Sequence, residues 1–284
     1  MHQRQIENVL LIFARYPQAG KTKTRLIPAY GPEGAATIYA DMLSQILDLV
    51  RPTIRDDFKA VILVEPPDCL NAMQELAGFD FEYATQTTGS LGDRLNSAFA
   101  EAFKNGAKKV LAIGTDCVEI TTDIIAQAVN ALKSHDAVIG PASDGGYYLI
   151  GLGTFLAGLF AEISWSTEHT LAQTMERLRS YQFSIFLLPE LSDIDTPEDV
   201  KRSMLKQIAK RVVELKLEAP TVLFLELHKP ISSVIYNASL FVEPLAKLVI
   251  GKHRVKHLQA IFAERENVEE LISFIHSYSK RATS

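Results

Sequence analysis

The chain has 284 residues, 47% hydrophobic and 22% charged, proportions typical of a globular protein with a sizeable core. Its net charge of −5 argues against a general nucleic-acid-binding protein, which would carry a basic surface. Two cysteines, Cys69 and Cys117, are too few for a disulfide framework and predict reduced thiols in a cytoplasmic protein. The apolar run at 9–14 is too short for a signal-peptide core or a membrane span.

Short apolar runs alternate with longer amphipathic runs through the first half of the chain. The apolar runs predict strands at 8–14, 58–64, 79–86, 108–114 and 135–140. Spacings of three and four between apolar residues predict helices at 33–50, 68–77, 93–107 and 122–134. This alternation predicts an α/β fold with three layers and a mostly parallel sheet.

After Asp144 the pattern is less regular. We predict a turn and strand at 144–152, then a helix at 163–180 that is capped by Ser166. A further strand is predicted after 183, followed by a helix that begins with Thr196 as cap and Pro197 in its first turn. Beyond 205 the sequence favours helices alone, at 205–217, 232–250 and 268–280. The chain is therefore predicted to consist of an α/β domain, 1–205, and a small helical appendage, 206–284.

The appendage is strongly apolar, but its longest uncharged piece, 230–242, falls short of the roughly 20 residues of a membrane span. We expect it to pack on the α/β domain or on a partner, including a second copy of the chain. Peripheral membrane attachment through its apolar residues is the alternative.

The loop after the first strand, "ARYPQAGKTKTRL", ends in a way that resembles a P-loop. A P-loop needs an earlier glycine so that backbone N–H groups converge on phosphates, but Arg15 stands at that position, and Pro17 has no N–H. The density of cationic side chains instead favours a phosphate site made of side-chain charges over a P-loop or a solvated basic loop. The phosphate-binding residues predicted in this loop are Ala14, Arg15, Gly20, Lys21, Lys23 and Arg25.

Carboxylates follow two of the predicted strands. Asp116 comes after the strand at 108–114 and is expected at the carboxyl edge of the sheet, where ligands bind in open α/β folds. Asp193 and Asp195 are two apart and share one face of an extended chain; Asp195 is the second ligand we select, with helix capping as its alternative role. Because Mg²⁺ takes one or two carboxylates plus phosphate oxygens, Asp116 and Asp195 predict a site for Mg²⁺ or Mn²⁺.

Two glycine-containing turns complete the predicted site. In "SDGGYYLIGL", paired glycines allow close approach of a ligand, and the acceptor-binding residues we predict are Asp144, Gly145, Gly146 and Tyr147, with a tight Asx turn as the alternative. In "TGSLGDRL", Asp93 lies at the start of a helix, where the N-terminal N–H groups favour an anion. We include Asp93 among the nucleotide-binding candidates.

Six segments in this order resemble the bacterial radical-SAM/selenodomain-associated transferases: "FARYPQAGKTKTRL", "SLGDRL", "GTDC", "SDGGYYLIGL", "SWST" and "DIDTPEDV". The resemblance covers residues 8–205 and implies the GT-A type of Rossmann-like fold of the nucleotide-diphospho-sugar transferase superfamily. It implies phosphate binding by Arg15, Lys23 and Arg25, and metal binding by Asp116 and Asp195. Where that family usually has proline after "GTDC", this chain has Val118.

The sequence thus predicts a metal-assisted transferase in which Lys23 and Asp116 take part in catalysis, with a nucleotide or nucleotide-sugar donor and a small-molecule acceptor. Glycosyl transfer is the first choice. Nucleotidyl transfer from an NTP to a phosphorylated acceptor, with release of pyrophosphate, is the second. A non-catalytic nucleotide-binding or scaffold protein is the third. No nucleic-acid partner is expected, and the C-terminal helices are candidates for homo-oligomer formation.

Overall fold

A computed structural model describes residues 7–55, 57–228 and 264–282. The chain forms two compact units, Met1–Asp195 and Thr196–Ser284. The division falls at the start of a helix, Pro197–Glu214, whereas the sequence placed it near 205. A boundary at 205 would cut this helix in the middle.

The first unit is built on one seven-stranded sheet. Its strands are β1 (Asn8–Arg15), β2 (Phe58–Glu65), β3 (Glu82–Thr85), β4 (Lys109–Ile113), β5 (Ala137–Pro141), β6 (Tyr147–Leu152) and β7 (Ile185–Leu187). They lie in the order β3-β2-β1-β4-β6-β5-β7, and only β6 runs antiparallel to its neighbours, β4 and β5. The predicted mostly parallel sheet is confirmed.

Helices cover both faces of this sheet. They are α1 (Ile27–Val50), α2 (Leu70–Ala77), α3 (Leu91–Lys104), α4 (Thr122–Ala131) and α5 (Thr170–Ser180), with short 3₁₀ turns at Thr24–Leu26, Arg51–Thr53 and Pro67–Cys69. Helix α1 is kinked at Gly31, where the backbone leaves helical angles just before Pro32. The three-layer α/β architecture is therefore as predicted.

The core lies on the two faces of the sheet, and β1 shows why its sequence is uniformly apolar. Successive side chains of a strand point to opposite faces. Leu10 and Ile12 are buried with α1 residues such as Leu43 on one face, and Leu11 is buried with Phe99 of α3 on the other. Both cysteines are buried free thiols, and burial raises the pKa of Cys117.

Helix α5 is shorter than predicted. It begins at Thr170, whereas the sequence placed its start at 163 and its cap at Ser166. The hydroxyls of Thr167 and Thr170 both donate to the carbonyl of Ser164, at 2.7 and 2.9 Å, and so stabilise a turn in place of a first helical turn. Ser166 lies within this turn at φ 60°, a left-handed angle that a helix cap does not have.

The second unit contains α6 (Pro197–Glu214), α7 (Glu218–His228) and α8 (Arg265–Ala282). Helix α6 begins as predicted: Thr196 and Asp199 form a reciprocal capping box, and Pro197 occupies the first turn. Helix α8 packs on α6, and Arg202 pairs with Glu270 at 3.1 Å. The helix predicted at 232–250 lies outside the described residues. No helix in the described part of the chain is long and apolar enough to span a membrane.

Candidate functional site

The carboxyl edge of the sheet carries a cavity of about 700 Å³ in the first unit. Strands β1 and β4 are parallel neighbours, with Ile12 opposite Ile113, so the chain leaves both strands side by side at the same edge. The loop after β1 and the loop after β4 therefore line one cavity. Of the predicted residues, those in the lining are Ala14, Arg15, Lys21, Lys23, Arg25, Asp116, Asp144, Gly146, Tyr147 and Asp195.

The loop after β1 is not a P-loop. The backbone N–H groups of Lys21 and Thr22 both donate to the carbonyl of Gln18, at 3.1 Å, and so do not converge on a ligand. The buried hydroxyl of Thr22 holds the turn by donating to the carbonyl of Tyr16 and accepting from the N–H of Gln18. Gly20 has φ 78°, which serves this turn, and it does not belong to the cavity lining. Side chains, not backbone amides, are what this loop presents to the cavity.

Lys23 is the centre of an ion cluster at the inner end of the loop. Its ammonium lies 3.1 Å from a carboxylate oxygen of Asp116 and 2.7 Å from one of Asp195, and it also donates to the carbonyl of Ile194 at 2.5 Å. The lysine side chain is 8% exposed, against 46% for Asp116 and 40% for Asp195. Burial lowers the pKa of Lys23, but the charges of Asp116 and Asp195 outweigh this effect, so its pKa lies above the ordinary value.

Backbone contacts explain how Asp116 and Asp195, which are 79 positions apart in the sequence, come together. The N–H of Ile194 donates to the carbonyl of Asp116 at 3.0 Å, which fixes the segment after β7 against the loop after β4. Lys23 itself has a left-handed backbone, with φ 47° and ψ 51°. This conformation is uncommon for a residue with a side chain. The loop thus holds the lysine at a fixed point between the two carboxylates.

The same cluster contains Asp193, which the sequence paired with Asp195 but did not select. Burial raises the pKa of Asp193 to about 7, and the negative charges of Asp116 and Asp144 add to the effect. It lines the same cavity as Asp116, Asp144 and Asp195. Carboxylates therefore outnumber the one buried lysine at this end of the cavity.

No group of three or more His, Cys, Asp or Glu side chains within residues 7–55, 57–228 and 264–282 is arranged as a metal site. Asp116 and Asp195 nevertheless direct oxygens at one cationic atom, the Lys23 nitrogen. Asp195 also accepts from Arg25 at 3.2 Å through its other oxygen. Two half-exposed carboxylates that share the Lys23 ammonium fit a hard divalent cation, provided that a ligand supplies further oxygens.

A second network lines the same cavity on the β2 side of β1, whereas the ion cluster lies on the β4 side. Glu65, at the end of β2, accepts from Arg15 at 3.1 Å and from Arg94 at 2.8 Å. Arg94, on α3, also donates to Gln86, whose amide in turn donates to the carbonyls of Ala14 and Leu63. Partial burial raises the pKa of Glu65, but the hydrogen bond from Arg94 and the charge of Arg15 lower it further, so its pKa lies below the ordinary value.

The residues predicted to bind the acceptor separate into two groups. Asp144, Gly146 and Tyr147 line the cavity, and Asp144 accepts from the N–H of Gly146 at 2.8 Å in an Asx turn. Gly145 does not line it. Its φ is 86°, and an added Cβ would come within 2.4 Å of the carbonyl oxygen of Glu168. Gly145 therefore serves backbone packing.

Asp93 is not part of the cavity lining. Its carboxylate accepts from the N–H and the hydroxyl of Ser90, at 2.9 and 2.7 Å, and completes the capping box of α3. These hydrogen bonds lower the pKa of Asp93. The Asp93 carboxylate thus accepts from an N–H at the helix N-terminus where the sequence predicted a bound anion.

Comparison with known proteins supports the fold and identifies relatives. The family described as "Uncharacterized protein conserved in bacteria (DUF2064)" matches residues 50–167. No curated protein matches the sequence. The solved structure of a "putative nucleotide-diphospho-sugar transferase" from Desulfovibrio desulfuricans G20 is similar, with 30% identity, coverage of 69% of this chain and 86% of that chain, and a TM-score of 0.65.

Two further structures are more distant. One is the 4-diphosphocytidyl-2C-methyl-D-erythritol synthase of Anaerococcus prevotii DSM 20548, with 11% identity, coverage of 68% of this chain and 94% of that chain, and a TM-score of 0.47. The other is a cytidylyltransferase of Leptospira borgpetersenii serovar Hardjo-bovis (strain JB197), with 16% identity, coverage of 70% of this chain and 85% of that chain, and a TM-score of 0.47. Neither bears on the activity of this chain. The Desulfovibrio protein does bear on its family, because an identity of 30% extends over 86% of that protein: the chain belongs to the nucleotide-diphospho-sugar transferase family.

Proposed function

We propose that the protein is a glycosyltransferase that binds a nucleotide-linked sugar donor in the cavity and passes the sugar to a small-molecule acceptor. The observation that carries this proposal is the ion cluster, in which Lys23 from the loop after β1 lies 3.1 Å from Asp116 and 2.7 Å from Asp195. The description of the Desulfovibrio relative as a nucleotide-diphospho-sugar transferase supports the donor class. The order of the sequence motifs supports the finer assignment to the radical-SAM/selenodomain-associated group.

The donor phosphates would lie along the loop after β1. Arg15, Lys21 and Arg25 all line the cavity, and Arg15 and Arg25 are 58% and 74% exposed, so their charged groups are accessible to a ligand. One cationic group about 4 Å from a phosphate contributes roughly 4 kcal/mol at an effective dielectric of 20. Several such groups together replace the backbone amides of a P-loop.

Asp116 and Asp195 would hold Mg²⁺ or Mn²⁺, with phosphate oxygens completing the coordination. The ion, when bound, would supply Lewis-acid neutralisation of the charge on the departing phosphate group. Lys23 and a divalent cation require the same carboxylate oxygens. Lys23 would therefore pair with a phosphate when the cation is present, which makes binding of cation and nucleotide mutually supportive.

Asp144 and Tyr147 would border the acceptor. Both line the cavity that contains the ion cluster. Asp144 would accept a hydrogen bond from the attacking hydroxyl and hold it toward the donor. The acceptor is expected to be a small molecule that carries such a hydroxyl.

Nucleotidyl transfer is the second candidate function. Four cationic side chains of the loop line the cavity, Arg15, Lys21, Lys23 and Arg25, and a triphosphate carries more negative charge to pair with them than a diphosphate does. A triphosphate would use all four, and attack by a phosphorylated acceptor would release pyrophosphate.

One assay separates the two reactions. The protein is incubated with Mg²⁺ or Mn²⁺ and either a panel of NDP-sugars with hydroxyl-bearing acceptors or each NTP with phosphorylated acceptors, and NDP and pyrophosphate are measured. Release of NDP that depends on an NDP-sugar supports the proposal. Pyrophosphate release that depends on the acceptor would replace it with nucleotidyl transfer.

Asp116→Asn is the matched control in both arms. Nucleotide binding without turnover, unchanged by this substitution, would indicate a non-catalytic protein. A cytoplasmic location and an oligomer formed through the C-terminal helices remain predictions. Size-exclusion chromatography of the full chain and of a chain ending at 195, where the first unit ends, tests the latter.

A further inference from the structure

A buried tyrosine connects the two strands that supply the ion cluster. Tyr39, on α1, reaches the carboxyl edge of the sheet, where its hydroxyl oxygen accepts from the backbone N–H of Arg15 at 2.8 Å. The same oxygen lies 2.9 Å from the hydroxyl oxygen of Thr115. Tyr39 and Thr115 are each 3% exposed. Helix α1 thus fixes the end of β1 and the start of the loop after β4 through one phenol.

The direction of the Tyr39–Thr115 hydrogen bond follows from the environment of the phenol. Burial raises the pKa of Tyr39 to about 12, so the phenol keeps its proton at neutral pH. Its oxygen already accepts from Arg15, and a buried hydroxyl proton needs an acceptor. Thr115 is the acceptor within reach in the described part of the chain. Tyr39 therefore donates to Thr115.

This direction determines what Thr115 can offer. A threonine hydroxyl has one proton and two lone pairs, and Tyr39 uses a lone pair. The described residues contain no other hydrogen-bond partner for this hydroxyl, and Thr115 lines the cavity directly before Asp116. Thr115 is consequently left with a proton to donate at the cavity wall, between the loop after β1 and the ion cluster.

We propose that Thr115 binds the donor nucleotide by donating its hydroxyl proton to a phosphate oxygen, and that Tyr39 is the positioning residue that orients it. The assignment rests on the proposed use of a nucleotide donor. A phosphate oxygen accepts but does not donate, which matches a hydroxyl whose accepting direction is already taken. Its negative charge also makes the hydrogen bond stronger than one to a neutral partner.

The test compares nucleoside diphosphates with the corresponding nucleosides by isothermal titration calorimetry, in the presence of Mg²⁺. The probes are UDP, GDP, CDP and ADP and their nucleosides, with the full chain. Thr115→Val keeps the shape and removes the hydroxyl, and should weaken binding of the preferred diphosphate about tenfold or more. Binding of the nucleoside should stay unchanged. Thr115→Ser, the matched control, should remain within about threefold of the wild type.

Tyr39→Phe releases the Thr115 hydroxyl from its fixed direction, so diphosphate affinity should fall by less than in Thr115→Val. Because Thr115→Val leaves a buried phenol proton without an acceptor, the double variant Tyr39→Phe/Thr115→Val removes both partners of that hydrogen bond. Tyr39→Phe alone, which also removes the acceptor of the Arg15 N–H, is the reference for the cost of that loss. The double variant should bind diphosphate as weakly as Thr115→Val alone.

Equal losses for diphosphates and nucleosides would mean that Thr115 only supports the fold, and would overturn the inference. So would undiminished diphosphate binding by Thr115→Val and by the double variant. A wild-type protein that binds none of the nucleotides would instead overturn the proposed function, and this assignment with it.

Discussion

The two ends of the cavity both combine cations with carboxylates, yet they do so in opposite proportions. At the acidic end, comprising Lys23, Asp116, Asp193 and Asp195, one buried lysine is surrounded by carboxylates. At the basic end, comprising Arg15, Glu65 and Arg94, one carboxylate is held by two guanidinium groups. The acidic end favours a cation and the basic end favours an anion, so the cavity is polarised along its length.

The central charges of the two ends differ in burial. The side chain of Lys23 is 8% exposed, against 23% for Arg94 and 24% for Glu65. Removing one partner from a buried ion pair is costly because the remaining charges lose their compensation, while exposed pairs are screened and contribute little. Substitution of Lys23 should therefore have a larger effect than substitutions at the basic end.

The largest effect is expected for Lys23→Met. We expect turnover to fall about 100-fold or more, because the variant loses a preorganised positive charge at the phosphates. Lys21→Met is the matched control, since Lys21 is exposed in the same loop, and should cost less than about tenfold. Steady-state rates, measured with the donor that the assay under Proposed function identifies, test this expectation. Equal losses in both variants would remove the distinction between a buried and an exposed lysine.

The same Lys23→Met variant has a second expected outcome that needs no turnover. With the ammonium gone, Asp116 and Asp195 should bind Mn²⁺ without nucleotide, and Mn²⁺ alone should raise the melting temperature of the variant more than that of the wild type. Lys21→Met should behave as the wild type does. A melting temperature that Mn²⁺ leaves unchanged in Lys23→Met would contradict a metal site at these carboxylates.

Asp116→Asn should have the next largest effect. The substitution keeps the shape and removes one charge from the acidic end, so Mg²⁺-dependent nucleotide affinity should fall about tenfold or more. Titration calorimetry with and without EDTA measures the metal-dependent part. Affinity that is the same with and without metal in the wild type would contradict this prediction. Asp48→Asn, an exposed residue of α1, serves as the control.

At the basic end, Arg94→Met should weaken nucleotide binding by no more than about tenfold. Arg94 contacts Glu65 and Gln86, and its loss leaves Arg15 as the remaining cation on Glu65. Arg55→Met, at an exposed ion pair with Asp57, is the matched control. A loss of nucleotide affinity larger than that of Asp116→Asn would show that the basic end dominates donor binding.

Much of the acidic end could be predicted from the sequence. The alternation of apolar and amphipathic runs predicts the parallel sheet, and a parallel sheet brings the ends of its strands to one edge. Lys23 and Asp116 follow two strands that prove to be neighbours, and they meet as expected. The meeting with Asp195 also required the hydrogen bond between Ile194 and Asp116, which no periodicity encodes.

At the basic end Arg15 was predicted, but Glu65 and Arg94 were missed because they look ordinary in the sequence. Glu65 is the last residue of a strand, and Arg94 lies in an amphipathic helix, where an arginine normally faces solvent. The strand end at Glu65, paired with Arg15 in parallel register, is the one signal that could have identified it. Tyr39 lies on an apolar helix face, a position that predicts a core residue, although its hydroxyl contacts Thr115 at the edge of the cavity.

At two other predicted positions, local contacts within the protein already involve the groups that we assigned to ligands. Asp93 was expected to contact the nucleotide, but it caps α3 through Ser90. Gly145 was expected at the acceptor, but it allows close packing against Glu168. In both cases the sequence pattern is the same for a cap or a turn as for a binding site, and the three-dimensional neighbours decide.

The smallest effect is expected for Glu65→Gln, and its pH dependence distinguishes a paired carboxylate from an isolated one. The pKa of Glu65 lies below its ordinary value in the folded protein. Such a group stabilises the fold above the unfolded-state pKa of about 4.3, and this contribution is lost as the pH falls through the lower, folded-state pKa. At pH 7 the variant should thus unfold about 1 kcal/mol more easily at most, because the pair is partly exposed.

Urea unfolding at pH 7 and at progressively lower pH measures this difference, with Glu75→Gln, at an exposed position on α2, as the control. The gap between wild type and Glu65→Gln should shrink on acidification, whereas Glu75→Gln should show little gap at any pH. A gap that widened at low pH would mean that folding raises the pKa of Glu65. The two arginines would then not hold Glu65 as an anion. Glu65 would neutralise only part of the positive charge of the basic end.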